Sequence, residues 1–257
     1  METATVPLFG RYEFLLRRLH SLTGLVPVGA FLTMHLLVNA SILDGPATFQ
    51  LNVDRIHSLG RALPVLEWVF IFLPILLHAA LGLLITAGAA PNVLSYPFVA
   101  NLRYLLQRIT GLVALVFILS HVAHMHSLAE PLQSIRPTWF AQFAPHDAAA
   151  SAAAAIQGSL LVPLIYFVGI LASVFHFTNG LWTMGITWGA WTSPRAQQRA
   201  NWLCAVFGVV LAVAGIGALG ALMRFDPEGQ PQVDQQQMVG VPAPDSVSGR
   251  FWPDEML

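Results

Sequence analysis

Charge is what this sequence has least of. Only 10% of its 257 residues are charged, where a soluble domain of this size carries about 25%. None of the twelve cations is a lysine, and the formal net charge is −1. A chain so poor in charge and 56% hydrophobic falls in the integral membrane class, with lipid around it and no nucleic-acid partner expected. Cysteine is nearly absent too. The single Cys204 lies in an apolar run, which excludes a disulfide framework and a cysteine-ligated zinc or iron–sulfur site built from this chain alone. Any iron–sulfur chemistry must come from a partner.

Long apolar runs are plentiful instead. Leu19–Leu43, Leu63–Ala90, Ile109–Leu128, Gly158–Trp188 and Trp202–Met223 all reach the roughly 20 helical residues that cross a bilayer core. Strands are excluded, because open sheet edges go unsatisfied in lipid and a barrel shows short alternating segments. The expected fold is therefore all-α, a bundle of five membrane-crossing helices. Arg17 and Arg18 before the first run resemble the start of a secretory signal, but that run is 25 residues long and holds His20 and His35. A signal's apolar region has about 7–15 residues and ends at a small-residue cleavage site, so this run is expected to be retained.

Five crossings place the termini on opposite sides. With the N-terminus inside, the inner segments hold Arg11, Arg17, Arg18, Arg103, Arg108, Arg195 and Arg199, against five arginines outside, and basic residues favour the cytoplasmic side. Three parts follow: an inner segment 1–18, a five-helix domain 19–223 and an outer tail 224–257. From Asp226 the tail has six acids, five prolines and five glutamines, a composition that predicts an extended segment. The alanine-rich stretch 146–158 has the propensity to extend the fourth helix outward beyond the bilayer.

Nine histidines stand out against this background. His35, His78, His121 and His176 each fall within one of the first four runs, and the fifth run has none. A lone imidazole in a membrane helix often just bonds a neighbouring carbonyl, yet an ionisable group at that depth points to function. A haem held between helices takes an axial imidazole from each side, so two haems need four histidines from four helices. Depth suggests the pairing. His35 and His121 each precede the first outer acid, Asp44 or Glu130, by nine residues. His78 and His176 lie 14 and 13 residues before Asn92 and Gly189, which puts them at a shared level nearer the inner face. In the cluster SHVAHMHSL, His121 is the deepest and the preferred ligand, with His124 the alternative. His124 shares its helix face and suits a haem propionate or a quinone oxygen, while His126 points elsewhere, toward the interface. A histidine-box di-iron enzyme would need several such clusters, and only one exists. A haem-free transporter would show broken helices in two matching halves; Pro27, Pro74 and Pro163 occur, but no repeat does.

The segments RRLHSLTGLVPVGAFLTMHLLVN, QRITGLVALVFILSHVAH and FHFTNGLWTMGITWGAWTSPRAQ resemble the di-haem cytochrome b membrane anchor of succinate:quinone oxidoreductases and fumarate reductases, in the variant with one five-helix polypeptide. The resemblance covers about residues 11 to 223. It implies two haems b, His35 and His121 binding the distal one and His78 and His176 the proximal one, with His20 and Ser21 on the proximal propionates. It also implies docking to an iron–sulfur subunit and to a flavoprotein that carries FAD and oxidises succinate, in a bacterial cytoplasmic membrane. The quinone implied is menaquinone, near the distal haem. Polar residues at that level are Asn39, His57, Arg61, Glu67 and His124, with Glu67 favoured as proton carrier. Some fumarate reductases of this family have a glutamate two residues before the fourth-helix ligand; here Val174 stands there, which favours succinate oxidation. Anchors of formate dehydrogenases, hydrogenases or nitrate reductases share the bis-histidine logic and form the alternative.

Overall fold

The computed structural model describes residues 8–88 and 93–226; the tail beyond 226 lies outside the described residues. Helix is the only regular structure among them, and the described residues up to Phe225 form one compact unit. Five segments are long and apolar enough to cross a membrane: Tyr12–Asp44, Ala62–Ala87, Val99–Met125, Leu161–Thr187 and Pro194–Arg224. The protein is an integral membrane five-helix bundle. Odd-numbered spans begin on one side, here called the N-terminal face, and even-numbered spans begin on the far face.

The first span is built from α1 (Leu8–Thr23), a π-helical turn Gly24–Gly29 and α2 (Ala30–Ala40). Pro27 sits inside that turn; it has no N–H to donate and crowds the preceding turn, and the wider π winding accommodates it. Beyond a 3-10 turn, α3 (Pro46–His57) lies on the far face. The second span repeats the device with α4 (Ala62–Glu67), a π turn Trp68–Phe72 and α5 (Leu73–Ala87), whose Pro74 follows the turn. The third span, α6 (Val99–Met125), starts ten residues before the apolar run does and stops before His126. Its last carbonyls, those of Ala123, His124 and Met125, accept from the backbone N–H groups of Ala141, Gln142 and Phe143, which satisfies a helix end that lipid cannot.

The stretch expected to lengthen the fourth span does not do so. It forms a separate helix, α7 (Ala148–Gln157), and α8 (Leu161–Thr187) begins after a break. Alanine is small enough to let α7 pack closely, and Ala148, Ala149, Ala152, Ala153 and Ile156 are buried with Phe49 and Val53 of α3, Tyr166 of α8 and Leu219 of α9 (Pro194–Arg224). Gln50 receives the first α7 N–H from Ala148, and Gln157 donates to the terminal carbonyls of Leu222 and Phe225. The main apolar core is thus a cap at the far face. Within the membrane, α8 packs on both α6 and α9, α2 on α9, and α1 on α5. At the N-terminal face Arg18 donates to the Thr187 carbonyl and lies over the Trp188 ring, tying the first span to the end of the fourth.

Candidate functional site

The four intramembrane histidines meet in couples. His35 on α2 and His121 on α6 bring their ring centres to 5.7 Å with planes at 71°. His78 on α5 and His176 on α8 stand at 6.0 Å and 82°. These are the couples that depth put together. Two metal–nitrogen bonds of about 2 Å, plus about 1 Å from each ring centre to its nitrogen, span about 6 Å, the separation of imidazoles facing each other across one metal.

The couple nearer the N-terminal face is oriented most fully. His78 Nδ1 lies 2.8 Å from the His20 carbonyl, His20 Nδ1 lies 3.0 Å from the His78 carbonyl, and the two rings stack at 3.9 Å. His176 Nδ1 lies 3.0 Å from the Gln107 carbonyl, and Gln107 Nε2 donates back to the His176 carbonyl. With Nδ1 donating to a carbonyl, each ring keeps its lone pair on Nε2, the arrangement of a metal-ligating histidine. Glycines make the fit possible. A Cβ on Gly24 would fall 2.3 Å from His78 Cε1, and one on Gly111 would fall 2.7 Å from His176 Cε1. The support continues through Asn179, which donates to Gln107 Oε1 and accepts from Arg103 Nε and Nη2; Arg103 also donates to Asn201 and covers the Trp182 ring.

The far-face couple is held differently. His121 Nδ1 and His124 Nδ1 both approach the Tyr166 hydroxyl, at 3.2 Å and 2.9 Å. His124 is 2% exposed and stacks on Trp139 at 4.5 Å. Asn39 donates to the His35 carbonyl at 2.8 Å, with a longer 3.4 Å approach to His35 Nε2. Phe31 and Phe117 stack against His35 and His121.

The remaining candidates separate into groups. Glu67 Oε1 stands 3.6 Å from His126 Nε2, and Phe72 packs edge-on to that imidazole. His126, expected to be mere interface decoration, therefore faces the one acid at the far end of the second span; the chain leaves the helix at His126 in an extended conformation, so helical spacing misplaces it. His57 turns its Nδ1 to the Val53 carbonyl of its own helix, and Arg61 is exposed on the turn that follows. Ser21 donates to the Arg18 carbonyl and accepts from Trp188 Nε1. Val174 packs with Leu36 and Leu211 in a buried apolar cluster.

Tyr166, Gln107, Trp139 and the two approach glycines were not picked out from sequence. Only Gln107 carried a signal, a polar residue one turn before Gly111.

Among the described residues no three His, Cys, Asp or Glu side chains gather around one point, so the bundle offers imidazoles two at a time. That donor set suits a metal that brings its other ligands in a macrocycle. The buried side-chain polar atoms without a hydrogen-bond partner among the described residues are Arg108 Nη1 and Ser173 Oγ. Ser173 is one turn from His176 on α8, and Arg108 is one turn from Gly111 on α6. The residues present fit haem.

Fold and site together define a class, an α-helical membrane bundle with paired axial-type imidazoles from alternate helices. No family model matches the chain. It is 34% identical over 214 residues, 83% of its length, to the succinate dehydrogenase cytochrome b558 subunit of Bacillus subtilis (strain 168), of which 99% is covered. The chain belongs to the family of succinate dehydrogenase cytochrome b subunits.

Proposed function

We propose that this chain anchors a succinate dehydrogenase complex in a bacterial cytoplasmic membrane and conducts its electrons to quinone through two haems b. The observation that carries the reading is the pair of facing imidazole couples at two depths. His78 and His176 would hold the proximal haem, His35 and His121 the distal one. Haem held by two imidazoles would supply one-electron transfer and leave no place for oxygen.

The chain's own residues then divide the work. The carbonyls of His20 and Gln107 fix the tautomers of His78 and His176, so that Nε2 faces inward. His20 and Ser21 lie on the N-terminal side of that couple, the side toward which propionates would extend. Tyr166 orients His121 and His124 together, which makes His124 a buried brace with one nitrogen already engaged. For quinone, taken to be menaquinone, the strongest donors are Asn39 beside His35 and the Glu67–His126 couple. Glu67 Oε1 lies 3.6 Å from His126 Nε2, and the His126 side chain is 30% exposed, so this couple leads from the quinone level toward water. His57 and Arg61 sit further off, as interface residues. The apolar packing of Val174 offers no proton route beside His176 and favours succinate oxidation over fumarate reduction.

In this reading the N-terminal face is cytoplasmic and docks an iron–sulfur subunit and an FAD-carrying flavoprotein. The test is to purify the tagged chain from native membranes and identify what accompanies it. A flavoprotein and an iron–sulfur protein that together reduce a quinone with succinate support the reading. Partners that oxidise formate or hydrogen, or that reduce nitrate, overturn it in favour of another quinone-linked oxidoreductase.

A further inference from the structure

Arg108 is a cation inside the third span with no ion-pair partner among the described residues. Its Nη2 donates to the carbonyl of Thr86, in the last turn of α5. Its guanidinium lies 5.4 Å from the Tyr104 ring centre, and its Nη1 is buried with no acceptor among the described residues. Neither ion pair formed among the described residues involves it. A partly buried guanidinium in a membrane span that lacks an anion is costly.

Its position names the missing anion. Arg108 lies three residues before Gly111, whose backbone rests against His176, and Thr86 lies eight residues beyond His78 on the way to the N-terminal face. The guanidinium therefore bridges α5 and α6 at the rim of the His78–His176 couple that faces the nearer surface. One arm is committed to Thr86, and another is buried with no acceptor among the described residues. A guanidinium so placed is made for a carboxylate.

We propose that Arg108 binds a propionate carboxylate of the haem held by His78 and His176, and that its charge raises that haem's midpoint potential. This rests on the haem reading above. A cation beside the haem opposes the added positive charge of the oxidised iron, so removing it favours oxidation.

The test is a redox titration, followed by optical spectroscopy, of the purified complex carrying Arg108→Gln or Arg108→Lys, with haem counted chemically. The expected result is two haems in each. In Arg108→Gln the reduced-to-oxidised ratio of one haem at fixed potential should fall on the order of tenfold, about 59 mV for one electron, while Arg108→Lys stays near wild type. Placed in a His78→Ala background, Arg108→Gln should leave the remaining haem's potential unchanged. Loss of one haem in Arg108→Gln with retention in Arg108→Lys supports the same contact. Unchanged potentials in Arg108→Gln overturn it, and if bound anionic lipid falls at the same time the anion is a lipid phosphate. Equal shifts or haem loss in both variants also overturn it, since geometry and not charge would then be responsible. If the wild-type chain holds no haem at His78 and His176, the haem reading itself fails.

Discussion

Replacing Gly24 with alanine adds one methyl group at the point where the first span touches His78. The new Cβ would stand 2.3 Å from Cε1 and 2.5 Å from Nδ1 of that ring, against an optimum of about 3.5–4.0 Å between non-bonded carbons. Ring or backbone must therefore move by about 1 Å. The ring cannot yield cheaply, because Nδ1 is bonded to the His20 carbonyl at 2.8 Å and its face is stacked on His20 at 3.9 Å. Overpacking of this kind costs about 1–3 kcal/mol, and alanine's better helix propensity returns at most about 1 kcal/mol. The net cost to the fold is thus about 0–2 kcal/mol, and the displacement falls on one ligand. If about 1–2 kcal/mol of it appears in haem binding, affinity at the His78–His176 couple drops roughly 5- to 30-fold. The assay is haem content and the reduced-minus-oxidised spectrum of the purified complex, compared with Gly220→Ala, where the added Cβ meets nothing within 4 Å. The haem at the His35–His121 couple should persist in both variants. Identical haem content and spectra in the two would refute the argument that Gly24 is there to admit His78.

Three further outcomes are expected. Tyr166→Phe removes the hydroxyl shared by His121 and His124 and leaves polar nitrogens buried without it, costing about 1–3 kcal/mol; the far-face haem's electron paramagnetic resonance signal should shift while the other stays. Asn179→Leu strips partners from Gln107 and Arg103 at once and should destabilise the complex by about 1–3 kcal/mol, visible as a lower temperature for haem loss. Glu67→Gln should leave both haems and succinate-to-soluble-dye electron transfer intact while slowing succinate-to-quinone turnover by about a hundredfold, the lower end for losing an acid–base group.

How much of this was legible in sequence depends on the range of the interaction. The five crossings follow from composition and run length alone, because lipid allows few other solutions. The two histidine couples follow nearly as directly, since depth along a helix is a linear function of residue number. Helix ends were harder. Val99 to Arg108 is too polar to count as apolar, yet it is helical, and His126 falls just past a terminus set by backbone bonds from Ala141, Gln142 and Phe143, which are far along the chain. Helix propensity suggested that α7 would continue the fourth span; its buried alanine face, paired with α3 and α9, decided otherwise. The contacts of Tyr166 with both His121 and His124, and of Gly24 with His78, join residues more than forty positions apart. Such contacts come from packing, which no local pattern displays.

The central claim is that four named histidines hold two haems. It is tested most directly by counting haem b per chain in the purified complex, for wild type and for His35→Ala, His78→Ala, His121→Ala and His176→Ala, with His124→Ala as control. The account predicts two haems in wild type and in the control, and one in each of the four variants. No haem in wild type, or a haem lost in His124→Ala but kept in His121→Ala, would contradict it.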